Sequence, residues 1–205
     1  MCDECEHKAK VEWDDVTGDE LDPQLVEEGC KEELEMFKRM KVYEYVLRRD
    51  AQADAEGKMV GVRWVKTKKG TKEKPKIRCR LVAQEFADRE FRDDLFAGTP
   101  PLAAMRMIIS EMASRGKARS QRMKIKVMDI KKAFLHGTMN RKVYIELPAE
   151  DPWAKDGNYV GLLKKAMYGT RDAPVEWQRV VQETLQETGF TMSKVVPCLY
   201  YNERK

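Results

Sequence analysis

Two runs of strand-forming residues, Met59 to Lys66 and Ile77 to Phe86, flank the polar stretch Lys-Lys-Gly-Thr-Lys-Glu-Lys-Pro-Lys. Glycine and proline among so many polar residues interrupt both strand and helix, so the chain must double back there. The expected result is a basic β-hairpin with a somewhat long loop. Residues 58–80 are dense in Lys and Arg, with Glu73 the one acid, whereas the chain through about Glu35 is acidic. The net charge of +4 conceals this division. A cationic run of this kind suits a polyanionic partner through counterion release, and equally suits a solvated lysine-rich hairpin.

Other elements follow from local pattern. Asp22 followed by Pro23 reads as an N-cap and a first helical residue. Val26, Cys30, Leu34, Phe37 and Met40 then recur at helical spacing, which predicts a helix to about Met40. Val42 to Leu47 reads as extended. Thr99-Pro100 opens a second helix with a buried stripe of Leu102, Met105, Ile108, Ile109 and Met112, closed by Gly116. Strands are expected at 122–129, Val143 to Leu147, Tyr159 to Leu163 and Cys198 to Tyr201, and a helix from about Pro174 to Thr188. Trp177, Val180, Val181 and Leu185 share one face of that helix. Residues 1–21 read as a loose polar segment, and 22–205 as the folded unit. The order is α+β, with a hairpin region ahead of a helix-supported antiparallel sheet.

A chain of 205 residues with 42% apolar content can bury a core, although 36% of its residues are charged. The five cysteines show no disulfide spacing, which fits a reducing compartment. Cys2 and Cys5 make a lone C-x-x-C without a second pair at zinc-site spacing, so free thiols are expected there. No apolar run is long enough to span a membrane and no signal peptide is visible, so an intracellular protein, cytoplasmic or nuclear, is expected. Two histidines, with no Ser or Cys placed as a nucleophile, give hydrolase chemistry little support. His136 reads as a surface residue rather than a general base.

The stretch Met-Asp-Ile-Lys-Lys-Ala-Phe-Leu-His-Gly, residues 128–137, concentrates chemistry. An apolar run containing Ile125 and Val127 ends in the carboxylate of Asp129. Cationic side chains and backbone N–H groups follow. Such an arrangement suits a metal-bound triphosphate, while an Asp after a strand is also an ordinary turn or cap residue.

Further segments decide between these readings. Residues 127–137 resemble the first catalytic motif of Ty1/copia-type retrotransposon reverse transcriptases, which are RNA-dependent DNA polymerases. Val-Tyr-Ile-Glu-Leu-Pro (143–148), Leu-Lys-Lys-Ala-Met-Tyr-Gly-Thr-Arg-Asp-Ala-Pro (163–174) with Trp177, Gly-Phe-Thr-Met-Ser-Lys (189–194) and Cys-Leu-Tyr (198–200) resemble the segments that follow it. Arg-Cys-Arg-Leu-Val-Ala-Gln (78–84) resembles the fingers strand of the same family. The resemblance covers residues 40–205 in the correct order.

The resemblance implies the fingers and part of the palm of a right-hand polymerase. It also implies Mg²⁺ as cofactor, with deoxynucleotides and an RNA or DNA primer–template as partners. Asp129 would be a catalytic, metal-binding carboxylate, with the Ile130 carbonyl a main-chain ligand. The N–H groups of Lys132 and Ala133 would face the triphosphate. Arg80 would clamp it, since a guanidinium meets phosphate oxygens in pairs, with Lys66 and Arg78 as companions or merely exposed strand charges. Phe134 would be a steric gate against the ribose 2′-hydroxyl, or a core residue. Tyr168 and Gly169 would lie near the nucleotide and template, Tyr168 alternatively being a core aromatic.

Departures from the family pattern accompany the match. Asp-Asp occurs only at 14–15 and 93–94, never in a Tyr-x-Asp-Asp setting. One carboxylate cannot hold two Mg²⁺ ions, so these residues are expected to be a fragment ending before that motif and inactive alone. Asp172 stands where the family has glutamine and is expected to cap a helix. Gln84-Glu85 replaces Lys-Gly, and Gly98-Thr-Pro alters a Phe-Ala-Pro-Val. Alternatives to a polymerase fragment are a nucleic-acid-binding module without catalysis and a decayed, non-functional element product.

Overall fold

A computed structural model describes residues 11–71, 73–86, 95, 97–115, 125–196 and 198–202. Cys2, Cys5, Gly116 and the Asp-Asp at 93–94 lie outside these residues. Helix α1 spans Pro23–Met40. The Asp22 carboxylate accepts from the Gln24 N–H at 2.8 Å and the Leu25 N–H at 3.4 Å, as its cap position predicts. Lys41, in the left-handed conformation at φ 53°, donates its N–H back to Lys38 and Phe37 and stops the helix. Val26, Cys30 and Phe37 are buried, and α1 lies along the hairpin's second strand. The approach is close at Gly29, where a Cβ would stand 2.8 Å from the Ile77 carbonyl oxygen.

The expected basic hairpin is present. Counting β1 (Glu12–Trp13), β2 (Glu20–Leu21), β3 (Tyr43–Leu47) and β4 (Lys58–Val60) ahead of it, its strands are β5 (Val62–Gly70) and β6 (Pro75–Ala83). They pair antiparallel from Val62↔Ala83 to Gly70↔Pro75. Period-two alternation buries Ile77, Cys79, Leu81 and Ala83 and turns Lys76, Arg78 and Arg80 to the other side. Met59 and Val60, expected within the same run, instead belong to β4, which breaks away at Gly61 to join a different sheet.

That sheet has four strands in the order β3-β8-β7-β4, with β7 at Val143–Ile145 and β8 at Tyr159–Leu163. β3 and β7 run antiparallel to β8, but β4 runs parallel to β7, so the sheet expected to be antiparallel is mixed. Phe37, Val42, Val60, Leu81, Leu135, Ile145 and Met167 meet between this sheet, α1 and β6 to form the main core. Helix α2 (Arg48–Ala53) follows β3, α3 covers Leu102–Arg115 and α4 covers Ala173–Glu187. Trp177, Val180, Val181 and Leu185 are half-buried. A short β9 (Thr191–Met192) pairs with β10 (Tyr200–Tyr201). The architecture is mixed α and β with several small sheets.

Three expectations need correction. Residues 11–21, expected to be loose, form the β1–β2 hairpin. Its turn is organised by Asp14, whose carboxylate accepts from the N–H groups of Val16, Thr17 and Lys68. The stripe on α3 is exposed: Leu102, Met105, Ile108 and Ile109 face solvent, and Ala104 is buried instead. Helical spacing predicts an apolar face, but no described element covers it. Residues 125–129, the described part of the strand expected at 122–129, carry no pairing, and Val127 is 89% exposed. β-branched residues favour extended backbone, yet a strand forms only where a partner edge receives its N–H and C=O groups.

Candidate functional site

β6 delivers Arg78 and Arg80 to one wall of a groove of about 660 Å³. Asp129, Ile130, Lys132 and Ala133 line the same groove, with Tyr168 and with Glu32, Glu33 and Met36 of α1. Seven of the sequence-predicted residues therefore share one concavity. The Arg80 guanidinium lies 5.4 Å from the centre of the Tyr168 ring, within cation–π range. Tyr168 meets Phe134 edge-on at 5.1 Å. Phe134 thus stands behind Tyr168 and does not line the groove.

Tyr168 is held by its backbone. The Ala83 N–H donates to the Tyr168 carbonyl at 2.8 Å, joining the end of β6 to the Tyr168–Gly169 turn. Gly169 has φ +84°, and a Cβ there would collide with the Ala83 carbonyl oxygen. Its place is structural; it supports the groove from outside.

Asp129 is exposed and has no hydrogen bond or ion pair among the described residues. A solvated carboxylate at a groove edge can ligate a cation. No group of three His, Cys, Asp or Glu side chains comes together among the described residues, however. Mg²⁺ takes six oxygens in octahedral array, so Asp129 and one carbonyl do not make a metal centre by themselves.

The structure does not bring Lys66 to the groove. It is only 8% exposed and pairs with Glu12 at 2.5 Å. The β1–β2 hairpin lies against β5 here: the Asp15 N–H donates to the Lys66 carbonyl at 2.9 Å, and the Lys66 N–H returns a bond to the Asp15 carboxylate at 2.6 Å. Asp15 also approaches Arg63 at 3.3 Å, and Glu32 of α1 takes Lys76 at 2.8 Å. Acids from the first 33 residues thus neutralise part of the basic hairpin.

Two further side chains were not anticipated. Glu33 is buried against Lys132, and the available signal was an acid three residues after Cys30 and four before Phe37, on the buried face of α1. Arg141 binds Glu85 and Asp172 together. Asp172 occupies the N-cap position of α4, but its side chain makes no capping bond because it is turned to Arg141. Burial pushes the Glu85 carboxyl upward, but hydrogen bonds from Arg141 and the Arg171 N–H outweigh it and hold the pKa below the ordinary value. Glu85 and Asp172, two departures from the family pattern, are therefore partners of one arginine.

Comparison with known proteins identifies the family. The reverse transcriptase (RNA-dependent DNA polymerase) family profile matches residues 43–204. The Retrovirus-related Pol polyprotein from transposon RE2 of Arabidopsis thaliana is 30% identical over 139 residues, covering 66% of this chain and 9% of that protein. Its counterpart from transposon RE1 is 29% identical over 150 residues, 71% of this chain and 10% of that protein. The Pol polyprotein from transposon TNT 1-94 of Nicotiana tabacum is 26% identical over 128 residues, 62% of this chain and 9% of that protein. The chain spans about a tenth of the length of these relatives. No solved structure matches it significantly, and no helix among the described residues is long and apolar enough to cross a membrane. With most of its length matched, the chain belongs to the reverse transcriptase (RNA-dependent DNA polymerase) family, in the copia-type form found in transposon Pol polyproteins.

Proposed function

We propose that this chain supplies the nucleotide-facing groove of an RNA-directed DNA polymerase, as the fingers and part of the palm of a right-hand fold. The observation that carries this reading is the placement of Asp129 and Arg80 in one groove. Arg80, with Arg78 beside it, meets the triphosphate oxygens of an incoming deoxynucleotide. The backbone at Lys132 and Ala133 offers N–H groups to the same anion. Tyr168 orients Arg80 through its ring face and is itself backed by Phe134, which supports the groove from behind and does not meet the sugar. The template–primer runs along the basic hairpin.

Asp129 and the Ile130 carbonyl are this chain's contribution to holding Mg²⁺, which when bound would activate the primer hydroxyl and neutralise the triphosphate. The described residues do not complete such a centre. The described residues alone therefore suit the binding of nucleotide and duplex rather than the extension of a primer.

The test measures deoxynucleotide triphosphate binding and primer extension on wild-type protein, Arg80→Ala and Asp129→Asn. Binding that Arg80→Ala weakens tenfold or more, without extension by any of the three, is expected on the loss of a charge-assisted phosphate contact, roughly 1.4 kcal/mol or more. Triphosphate affinity indifferent to Arg80 would defeat the proposal. A second reading, a binding module without catalysis, is favoured by the incomplete acid set. Primer extension by the chain alone would reject it, together with the expectation that none of the three proteins extends a primer.

A further inference from the structure

Glu33 presents a problem that its neighbours answer. Its side chain is 2% exposed, on the face of α1 that otherwise buries Cys30 and Phe37. A carboxylate in such a place is costly unless partnered. One oxygen, Oε2, takes the Lys132 ammonium. The other, Oε1, is buried and has no hydrogen-bond partner among the described residues. Lys132 in turn has φ 56° and ψ 40°, a left-handed conformation that a residue other than glycine keeps only where its surroundings hold it. It lies three residues after Asp129 and immediately before the 3-10 turn Ala133–His136. Glu33, Lys132 and Asp129 all border the same groove. Helix α1 precedes the stretch that the family profile matches, residues 43–204.

We propose that Glu33 is a positioning residue for the groove: by anchoring Lys132 it fixes the left-handed turn that presents Asp129 and Ile130 to the groove that Arg80 also lines. This inference rests on the polymerase reading of the groove and deepens it. The Lys132 ammonium belongs to the scaffold. Drawing it toward a ligand would leave a buried carboxylate with neither oxygen partnered. The anion is therefore met by Arg80, Arg78 and backbone N–H groups, with the lysine side chain as the tether beneath them.

Charge alone makes the opposite prediction, which gives the test its power. Glu33→Gln removes a negative charge from the groove wall, so simple electrostatics expects tighter binding of an anion. A lost tether expects weaker binding. The experiment uses the full chain with inorganic tripolyphosphate as probe, and follows amide hydrogen exchange over residues 128–137 against β7 and β8.

In Glu33→Gln, exchange at Leu135 and Gly137, whose N–H groups are bonded to the Lys132 and Phe134 carbonyls, should accelerate by about tenfold while β7 and β8 stay protected, as for a local opening. Tripolyphosphate affinity should fall about fivefold, and Lys132→Arg, which keeps the ion pair, should remain near wild type. If Glu33→Gln does not fold, Glu33→Gln/Lys132→Met removes both charges together and carries the same two expectations. Unchanged exchange, tighter binding, or acceleration spread evenly over all strands would overturn the proposal. Wild-type protein that fails to bind tripolyphosphate, with Arg80→Ala no different, would sink the polymerase reading instead. The exchange measurement would still decide whether Glu33 tethers the turn.

Discussion

The Arg141 guanidinium sits 2.6 Å from the carboxylate of Glu85, a side chain almost wholly withdrawn from water, and it also binds Asp172. Glu85 follows β6 and Asp172 precedes α4, so one cation ties the end of the basic hairpin to the start of the last helix. Removing it leaves a buried carboxylate with only the Arg171 N–H at 2.9 Å and the Lys58 ammonium at 3.7 Å. Arg141→Ala should lower unfolding free energy by about 3–5 kcal/mol, read as a shift of the urea midpoint at pH 7. A shift equal to that of a surface arginine would show the pair to be ornamental.

The same pair predicts an acid response. Glu85 has a lowered folded-state pKa, so its contribution is present above the unfolded value of about 4.3 and is lost as pH falls through the lower folded value. Melting followed between pH 7 and pH 3 should therefore show wild type losing stability below about pH 4.3. Arg141→Ala, lacking the main source of the depression, should lose less over that window. Parallel curves for the two proteins would contradict this.

Gly169 should tolerate no side chain. Its positive φ and the nearby Ala83 carbonyl both oppose a Cβ. Gly169→Ala should cost more than about 1 kcal/mol in urea unfolding. It should also weaken tripolyphosphate binding, because Tyr168 would shift away from Arg80. Retained binding with lowered stability would separate the turn from the groove.

The acids Glu12 and Asp15 should restrain nucleic-acid binding, since they occupy Lys66 and Arg63. Glu12→Gln/Asp15→Asn should bind a primer–template duplex more tightly and with a steeper salt dependence. Two freed cations add roughly 1.8 to the slope of log K against log salt. An unchanged slope would mean that β5 does not meet the duplex.

Asp129→Asn should leave stability within about 0.5 kcal/mol of wild type, because the side chain is exposed and unpaired among the described residues. A melting temperature displaced by several degrees would assign Asp129 a structural place rather than a ligating one.

What the sequence disclosed was mostly local. The Asp22 cap, the turn between β5 and β6, strand β8 and helix α4 each follow from residues within a few positions of one another, and each formed. Elements that need a distant partner were less legible. The apolar spacing along α3 and the β-branched residues at 125–127 describe surfaces seeking cover, but spacing cannot say whether cover is at hand. The segment at 11–21 looked loose because it is polar, yet the polar groups of Asp14 and Asp15 complete the hydrogen bonding of β5. The groove was legible in Asp129, Arg80 and Tyr168. It was not legible in Glu33, whose partner Lys132 lies 99 positions away, nor in the Glu85–Arg141 pair, separated by 56.

The alternation along β6 carries a consequence for how this chain can change. Cys79 and Leu81 point into the core while Arg78 and Arg80 point out of it, so replacement of any one of them is a local event. Loss or gain of a single codon between Gly70 and Pro75 is different in kind. If the strand then slid by one position, every arginine on it would be driven into hydrocarbon and every core residue into water. That turn is held in length by the register it sets and in composition at Gly70, where φ is +89° and a Cβ would meet the Lys74 carbonyl oxygen.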